Sequence, residues 1–565
     1  MFAFHPFVSA RFGTSCSAAF ALALASAPAF AQGGIDRVSV STSGLQANAL
    51  SNPGGVSADG RYVVFDSAAT NLVLGDANGH RDVFLRDRVT GTTTRVSVGL
   101  GGVEADGQSF GARISGDGNR IVFTSNASNL VAGDIESPSS PASSDCYLFD
   151  RAAGVMQRLS VTTSGAEITG QTAGIDISAD GTTVVFAFGG DLTTGAPSLG
   201  NAYALDLATQ AVERLDVTSS GADLGTGCIA PRVSADGRFV TFVVVLPPQP
   251  PVIQRIAVRD RLLGITTIAS VSDAGVLADD DCAWPTISDD GRVVAFASIA
   301  TNLLATPVFF GECAYYHDLS TGTTHAVNVD ASGLPLPGSR PVVSPDGRRI
   351  AFITANSRAP ILDLTTGVVV PAATTARGEL ANTIAQVLAF SADGRFGLIA
   401  SGASNLVAND TNAITDVFVK TVLPRSATSY CTPRVNSQGC TPVLAASGVA
   451  AASGGNAFVL TATNLINRSS ATLFWSLVQS TDPFAGGTMC VAAPLRRAFT
   501  ASSGGSATGV DCTGSLSFDF NPLIRAGSSP VLIPGSVVYA QVTFVDAGDP
   551  SGIGLTDAIA FRILP

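Results

Sequence analysis

The chain has 565 residues, more than one ordinary domain holds, so we expect at least two domains. It is 46% hydrophobic and 13% charged, which excludes a chain that is disordered throughout. The formal net charge is −12 and the sequence has no run of Lys and Arg, which disfavours a nucleic-acid partner.

The N-terminus has the pattern of a secretory signal peptide over residues 1–31. Arg11 supplies a positive charge, residues 18–27 are apolar, and Ala29-Phe30-Ala31 is a small-x-small cleavage site. This apolar run is too short to span a bilayer and no later run is long enough. We therefore expect an exported protein, periplasmic or extracellular, without membrane insertion.

One short motif recurs seven times: Ser, any residue, Asp-Gly, then an apolar strand. Successive motif glycines lie between 47 residues (Gly347 to Gly394) and 63 residues (Gly118 to Gly181) apart. A period of this length indicates a repeat architecture. The copies begin at Ser57, Ser115, Ser178, Ser234, Ser288, Ser344 and Ser391.

Each period contains four strand-like segments. In the first period they cover residues 55–57, 61–67, 82–87 and 93–98, with tight turns at Asp59-Gly60 and Thr90-Gly91. Four antiparallel strands, repeated radially, make a β-propeller blade. The sequence therefore predicts an all-β chain in which residues 35–422 form a seven-bladed β-propeller.

The seventh copy lacks its fourth strand, because the chain leaves the repeat after Lys420. Residues 37–42 match the fourth-strand segments that begin at Arg95 and Arg158. We expect this N-terminal segment to be the outer strand that closes the seventh blade, which removes an exposed sheet edge.

The repeat resembles the WD40-like repeats of TolB-type propellers, whose blades carry Ser-Pro-Asp-Gly before an apolar strand. Residues 344–348, Ser-Pro-Asp-Gly-Arg, are the copy most similar to that pattern. The resemblance covers about residues 35–422 and implies the fold. It says little about activity, because this fold serves scaffolds, receptors and enzymes alike.

Two loops of every blade are long, one between the second and third strands and one leading to the next blade. Strand alternation puts both on one side of the disc, here called the long-loop face; the other side is the short-turn face. Loops on a rigid scaffold carry function, so we expect a ligand on the long-loop face, although its acids are also explained as solvated loop residues. The candidates are Glu104, Asp106, Glu167, Asp223, Asp279, Asp280, Asp281, Trp284 and Glu379.

Two loops have oxygen-bearing side chains at a spacing that suits a hard cation such as Ca²⁺. The first contains Asp76, Asn78 and Asp82, and the second contains Asp410, Asn412 and Asp416. The alternative is a turn held by side-chain hydrogen bonds. Ca²⁺ is the one cofactor that the sequence suggests.

Residues 431–565 follow a linker, 423–430, and lack the repeat. Strand-like segments at 457–463, 471–478, 515–520, 536–545 and 556–563 predict a small β-sandwich. Its four cysteines, Cys431, Cys440, Cys490 and Cys512, allow three disulfide pairings, of which 431–440 with 490–512 is the local one.

The propeller segment contains four further cysteines. Cys228 and Cys282 each lie nine residues before a motif glycine, so we expect a bridge between blades four and five. Cys313 is a rival partner for Cys282, and Cys146 lies too far along the repeat to pair with any of them.

Together these features predict an exported propeller scaffold that binds a protein, peptide or glycan on its long-loop face. They identify no catalytic residue. The alternative is a carboxylate- or metal-dependent glycan hydrolase or lyase acting in the propeller funnel, which converging carboxylates at the funnel mouth would favour.

Overall fold

The computed structural model describes residues 35–134, 143–247, 252–305, 311–330, 333–354, 358–364, 367, 369–375, 379–422, 428–448, 450, 457–527, 529, 531–532 and 536–563. The predicted signal peptide lies outside these residues. The described chain is nearly all β, with one short α-helix, Asn521–Arg525, and one 3₁₀ turn, Leu100–Gly102. No described helix is long and apolar enough to cross a membrane.

The repeat folds into four-stranded antiparallel sheets, numbered here one to seven in chain order. Sheets one to three consist of Ser51–Val56, Tyr62–Ser67, Asp82–Asp87 and Thr92–Arg95; Ser109–Ile114, Arg120–Ser125, Asp145–Asp150 and Val155–Arg158; Thr172–Ile177, Thr183–Gly190, Pro197–Asp206 and Val212–Arg214. Sheets four and five consist of Thr226–Val233, Phe239–Val245, Gln254–Asp260 and Ile265–Ile268; Cys282–Ile287, Val293–Ser298, Cys313–Asp318 and Thr323–Ala326. Sheets six and seven consist of Ser339–Val343, Arg349–Ile353, Pro360–Asp363 and Val369–Pro371; Ala385–Phe390, Phe396–Ser401, Asp416–Thr421 and Ile35–Arg37.

The recurring Ser-x-Asp-Gly motif is the turn between the first and second strands of each sheet. In sheet one the Ser57 hydroxyl donates to Asp59 Oδ1 at 2.6 Å and accepts the Tyr62 N–H at 2.9 Å, while Asp59 also accepts the Arg61 N–H. Gly60 closes the turn with φ 75°, a conformation that disfavours side chains. All seven motif serines are fully buried, so the motif recurs because one hydroxyl satisfies two partners.

The motif glycine also lets neighbouring sheets pack closely. A Cβ on Gly118 would come within 2.4 Å of the Tyr62 ring of sheet one, and a Cβ on Gly60 within 2.4 Å of the Phe396 ring of sheet seven. Sheet one therefore contacts sheet seven in the same way as sheet two contacts sheet one.

The predicted outer strand is shorter and begins earlier than expected. Ile35–Arg37 pairs antiparallel with residues 418–420, and the Val38 N–H donates to the Val417 carbonyl at 2.8 Å. Pairing ends there because Ser39 turns its hydroxyl onto the buried Asp416 carboxylate at 2.5 Å.

The remaining strands build two sheets around one core. The five-stranded sheet contains Thr428–Ser429, Ile553–Arg562, Val537–Val545, Ser470–Ser476 and Arg496–Ser502, and the three-stranded sheet contains Val443–Gly448, Phe458–Leu465 and Gly514–Asp519. Gln479–Phe484 and Gly487–Val491 form a separate hairpin. Leu460 and Leu516 of one sheet share a buried cluster with Trp475 and Phe561 of the other, the packing expected for a sandwich.

The disulfides of this part connect Cys431 to Cys490 and Cys440 to Cys512. The local pairing of Cys431 with Cys440 is therefore wrong. The Cα atoms of Cys431 and Cys490 are 6.3 Å apart and those of Cys440 and Cys512 are 6.4 Å apart; the bonded residues are separated by 59 and 72 positions in the sequence. The long-range pairing follows from the sandwich, which brings residues distant in sequence together.

Candidate functional site

A central cavity of about 170 Å³ lies where the first strands of all seven sheets meet. In every sheet the residue two positions before the motif serine contributes to its wall. These residues are Gly55, Arg113, Asp176, Arg232, Thr286, Val342 and Ala389. The wall is therefore polar on sheets two to five and apolar on sheets six, seven and one.

The charged residues of this wall are Arg113, Arg232, Asp176 and, at the short-turn end, Asp289. Arg113 Nε lies 3.8 Å from Asp176 Oδ1, and Asp176 also accepts the Val233 N–H at 3.2 Å. Arg232 donates Nη1 to the Pro231 carbonyl at 2.9 Å and, within the described residues, has no carboxylate at ion-pairing distance. Burial and the neighbouring Arg113 lower the pKa of Arg232 to about 10, so it is cationic at neutral pH.

Asp289 lies where the cavity reaches the short-turn face. Its Oδ1 accepts the Ala235 N–H at 3.2 Å, and burial raises its pKa to about 6, with a smaller contribution from Asp236, Asp290 and Asp346. The short-turn face thus has an acidic rim, formed by Asp289, Asp290, Asp346 and Asp393. The sequence pattern predicted a ligand on the other face and gave no sign of this rim.

Trp284 and Arg340 form a stacked pair towards the long-loop end of the first strands, four positions before their motif serines. The Arg340 guanidinium carbon lies 4.4 Å from the centre of the Trp284 ring, and Trp284 is 44% exposed. Their φ angles are +57° and +44°, whereas Gly111 and Gly174 occupy the same position in sheets two and three. A bulky side chain at positive φ is strained, and such strain concentrates at functional positions.

The first loop predicted to bind Ca²⁺ holds an arginine instead. Arg95 Nη1 lies 3.4 Å from Asp76, 3.3 Å from Asp82 and 2.9 Å from Glu104, and this hydrogen bond lowers the pKa of Glu104. Asn78 turns its amide N–H towards Asp82 at 3.1 Å, a donor that cannot share a cation with that carboxylate. The structure gives the predicted calcium site no support.

The second such loop has the same arrangement. Arg37 Nη1 lies 3.1 Å from Asp410 and 3.3 Å from Asp416, and Asn412 Nδ2 donates to Asp416 at 3.0 Å. Both loops therefore follow the alternative interpretation, a turn held by side-chain hydrogen bonds, with an ion pair added.

In the part of the chain that the structure describes, one group of three carboxylates is close enough to hold a metal ion. Oxygens of Asp134, Asp145 and Glu167 lie within 4.8 Å of one another, but Arg158 Nη1 lies 3.3 to 3.5 Å from all three. Tyr147 adds a hydrogen bond of 2.6 Å to Asp134. A guanidinium thus stands where a metal ion would balance these charges.

These arginines follow a rule along the chain. The fourth strand ends in Arg37, Arg95, Arg158 or Arg214 in sheets seven, one, two and three, and in Ile268, Ala326 or Pro371 in sheets four, five and six. The residue that forms the next isolated β-bridge is Gln46, Glu104, Glu167 or Asp223 in the first group, and Leu277, Pro335 or Leu380 in the second. Polar residues at one position thus accompany polar residues at the other, and apolar residues accompany apolar ones. The ion pairs of Glu104, Glu167 and Asp223 with these arginines indicate a structural role for the three acids.

The other predicted long-loop acids mostly accept hydrogen bonds from neighbouring loops and strands. Asp106 accepts from the Ser128 N–H and hydroxyl at 2.7 and 2.6 Å, and Asp279 accepts from Thr301 in the same way. Asp281 accepts the Gln254 N–H at 2.8 Å and Asp280 accepts the Asp281 N–H at 2.8 Å. Glu379 is exposed.

The predicted bridge between Cys228 and Cys282 is wrong, and both cysteines are free and buried. Cys228 packs in the core between sheets three and four, and Cys282 in the core between sheets four and five. Each side chain points towards the preceding sheet, so the two cannot meet. Cys313 does not reach Cys282 either, because Ser298 stands between them in the sheet register, which puts the two strands about 10 Å apart. Cys146 is free and buried, as expected from its place in the repeat.

Comparison with known proteins found no matching family model and no matching curated protein. Similar solved structures include an oligogalacturonate lyase in complex with manganese, at 14% identity and TM-score 0.43, covering 70% of this chain and 95% of that one. TolB from Acinetobacter baumannii matches at 17% identity and TM-score 0.30, over 50% of this chain and 54% of TolB. The β-propeller domain of the Trilobed protease from Pyrococcus furiosus matches at 11% identity and TM-score 0.41, over 66% and 93%. TolB is thus among the similar structures, as the repeat led us to expect.

Proposed function

We propose that this chain is an exported, non-catalytic binding protein that holds a protein, peptide or glycan at the long-loop end of a closed propeller, on the Trp284–Arg340 pair. The observation that carries the proposal is this exposed aromatic ring, held at positive φ in an innermost strand and stacked on a guanidinium.

Closure of seven blades into one ring is supported by three contacts. The Ile35–Arg37 strand completes sheet seven, Gly60 packs on Phe396 between sheets seven and one, and the first strands of all seven sheets line a single cavity. A closed ring removes the sheet edges and makes a rigid platform.

An aromatic ring with a cation on one face is suited to ligands that stack. Tryptophan offers a large apolar area with little conformational entropy to lose, and Trp and Arg dominate the energetics of binding surfaces. Trp284 lies in a bulge between Ala283 and Thr286, where the first strand of sheet five shifts register against the second, and strain of this kind persists where the surrounding structure determines it. In this proposal the ligand lies on the long-loop face, on the ring axis and away from most of the acidic loops.

One feature favours the enzyme alternative: the carboxylates of Asp289, Asp290 and Asp346 at the short-turn mouth of the cavity, with the raised pKa of Asp289. The group close enough to hold a metal ion, Asp134, Asp145 and Glu167, surrounds Arg158 and is absent from the cavity wall as described. In the cavity, Asp176 faces Arg113.

Export is supported by the two disulfides, which form in oxidising compartments. The division into a propeller at 35–422, a linker at 423–430 and a sandwich at 431–565 remains a prediction, with a signal peptide at 1–31 before it. In this proposal the sandwich assists the propeller.

The test is a parallel screen of the full mature chain on glycan and peptide arrays, followed by titration of the strongest hit. Trp284→Ala should weaken binding at least about tenfold, the loss typical of a central aromatic contact. Phe484→Ala, at another exposed aromatic residue (40% exposed), should leave binding unchanged. Equal binding by wild type and Trp284→Ala would refute the proposal.

A further inference from the structure

The central cavity has a feature that the proposed function leaves unused: an arginine without a carboxylate partner. Among the described residues, Arg232 makes one side-chain hydrogen bond, to the carbonyl of its own neighbour, and has no carboxylate at ion-pairing distance. Burial and the nearby Arg113 lower the pKa of Arg232, and Asp176 raises it less strongly. Two like charges in a partly buried wall are costly unless an anion accompanies them.

We propose that the central cavity binds a carboxylate with a short apolar stem, whose charge lies against Arg232 and Arg113. This inference rests on the ring closure proposed above and adds a second ligand site, deeper than the Trp284–Arg340 pair.

The wall opposite the arginines determines the rest of the ligand. In a ring of seven, sheet four faces sheets seven and one, whose contributions are Leu388, Phe390 and Val56. The polar half of the cavity therefore faces an apolar half. A cavity of about 150 Å³ holds a molecule of the size of benzene, so one of about 170 Å³ has room for a carboxylate of four carbons.

Asp176 does not remove the need for this anion. Asp176 lies 3.8 Å from Arg113 and also accepts the Val233 N–H, so at this level of the wall two guanidinium groups share one carboxylate. The second carboxylate of the wall, Asp289, lies three positions beyond Thr286, towards the short-turn face. A monoanion beside the two arginines balances their charge at this level, and hydrogen bonds between charged groups are the stronger kind.

The neighbouring position in the ring offers a designed competitor. Thr286 Oγ1 of sheet five accepts the N–H of Val343 in sheet six at 3.1 Å. In the same way, Asp176 of sheet three accepts the N–H of Val233 in sheet four. Thr286→Asp can keep this hydrogen bond and brings a carboxylate beside Arg232. It should supply the missing anion from within the protein.

The experiment titrates the full mature chain with butyrate and with its neutral isostere butyramide, observed by ligand NMR. Butyrate should bind at least about tenfold more tightly, because a hydrogen bond to a charged group is worth ~1.5–3 kcal/mol. Arg232→Gln and Thr286→Asp should each weaken butyrate binding by a similar factor. Arg348→Gln, an exposed arginine on the short-turn face with its side chain outside the cavity wall, should not change it.

Equal binding of butyrate and butyramide would overturn the inference, as would no binding of butyrate or full binding by Thr286→Asp. If Arg232→Gln fails to fold, the Thr286→Asp result decides. N-acetylvaline identifies the source: tighter binding than butyrate indicates the end of a chain, and weaker binding indicates a free acid. Failure here with array binding intact removes this second site and leaves the proposed function standing.

Discussion

The four-stranded sheets fall into two groups, here called the two halves: sheets seven, one, two and three, and sheets four, five and six. The halves share one strand pattern but have opposite chemistry at the end of the fourth strand. In sheets seven, one, two and three an arginine at the end of the fourth strand pairs with two or three carboxylates, whereas in sheets four, five and six the same position is Ile268, Ala326 or Pro371. The isolated β-bridge in the segment after the fourth strand is present in both halves. The acids that pair with these arginines therefore belong to one of two side-chain arrangements of the same strand pattern. We infer that the ligand-binding groups lie on the axis instead.

The largest effect should come from removing the arginine at the centre of the most buried cluster. The side chains of Arg158, Asp134 and Asp145 are 9%, 2% and 3% exposed, so Arg158→Met leaves carboxylates facing one another without their cation. We expect a loss of about 3–5 kcal/mol in the free energy of unfolding. Urea denaturation measures it, with Arg348→Met as the exposed control; a loss below about 1 kcal/mol would contradict the structural role.

The next test gives sheet three, of the first half, the residues of sheet four, of the second half. Arg214→Ile alone leaves Asp216, which is fully buried, without its guanidinium and should cost about 3 kcal/mol. Adding Asp216→Ser and Asp223→Leu reproduces Ile268, Ser270 and Leu277 of sheet four, and most of the loss should be recovered. A triple variant as unstable as the single one would show that the two halves are not interchangeable.

A smaller effect is expected on the short-turn face. Because the pKa of Asp289 is about 6 when folded and near 4 when unfolded, the folded state binds more protons between these values and stability falls as pH rises through this window. Asp289→Asn should therefore stabilise the protein at pH 7, by about 1 kcal/mol after allowance for solvent screening, and have little effect at pH 4. Thermal unfolding at both pH values measures it; the same shift at both would contradict the assignment.

The smallest expected effect is none. Since arginines neutralise the loops of Asp76, Asp410 and Asp134, neither a chelator nor added Ca²⁺ or Mn²⁺ should move the melting temperature of the wild type. A rise of several degrees on adding either ion would restore the metal interpretation.

Much of the propeller could be predicted because the turn motif repeats. The third strand of sheet one, Asp82–Asp87, matches its prediction, and the second begins one residue later than expected. The fourth ends at Arg95 rather than at 98, since the following serine turns to bond Asp82. In the sandwich, Val443–Gly448 and Arg496–Ser502 were missed because small residues and arginines give a weak strand signal.

The site was harder to predict because it depends on side-chain direction. The acids of the long-loop face resembled ligands, and a signal for their true role was present: Arg95, Arg158 and Arg214 each precede an acid by nine residues, at Glu104, Glu167 and Asp223. The convergence of Arg113, Asp176 and Arg232 had a signal too, since each lies two positions before a motif serine, but only the structure shows that this position faces the cavity. Trp284 was expected on the long-loop face; its positive φ and its arginine partner are visible only in three dimensions.

Acrylamide quenching of tryptophan fluorescence tests the axial site most directly. The chain has two tryptophans, of which Trp475 is 2% exposed and Trp284 44%, so the quenchable emission belongs to Trp284. We expect the ligand selected on the arrays to protect Trp284 from acrylamide as it binds, with the same midpoint as the binding curve. If quenching stays unchanged when the protein is saturated with that ligand, the site is not axial. The acidic loops of the long-loop face would then be the candidate site.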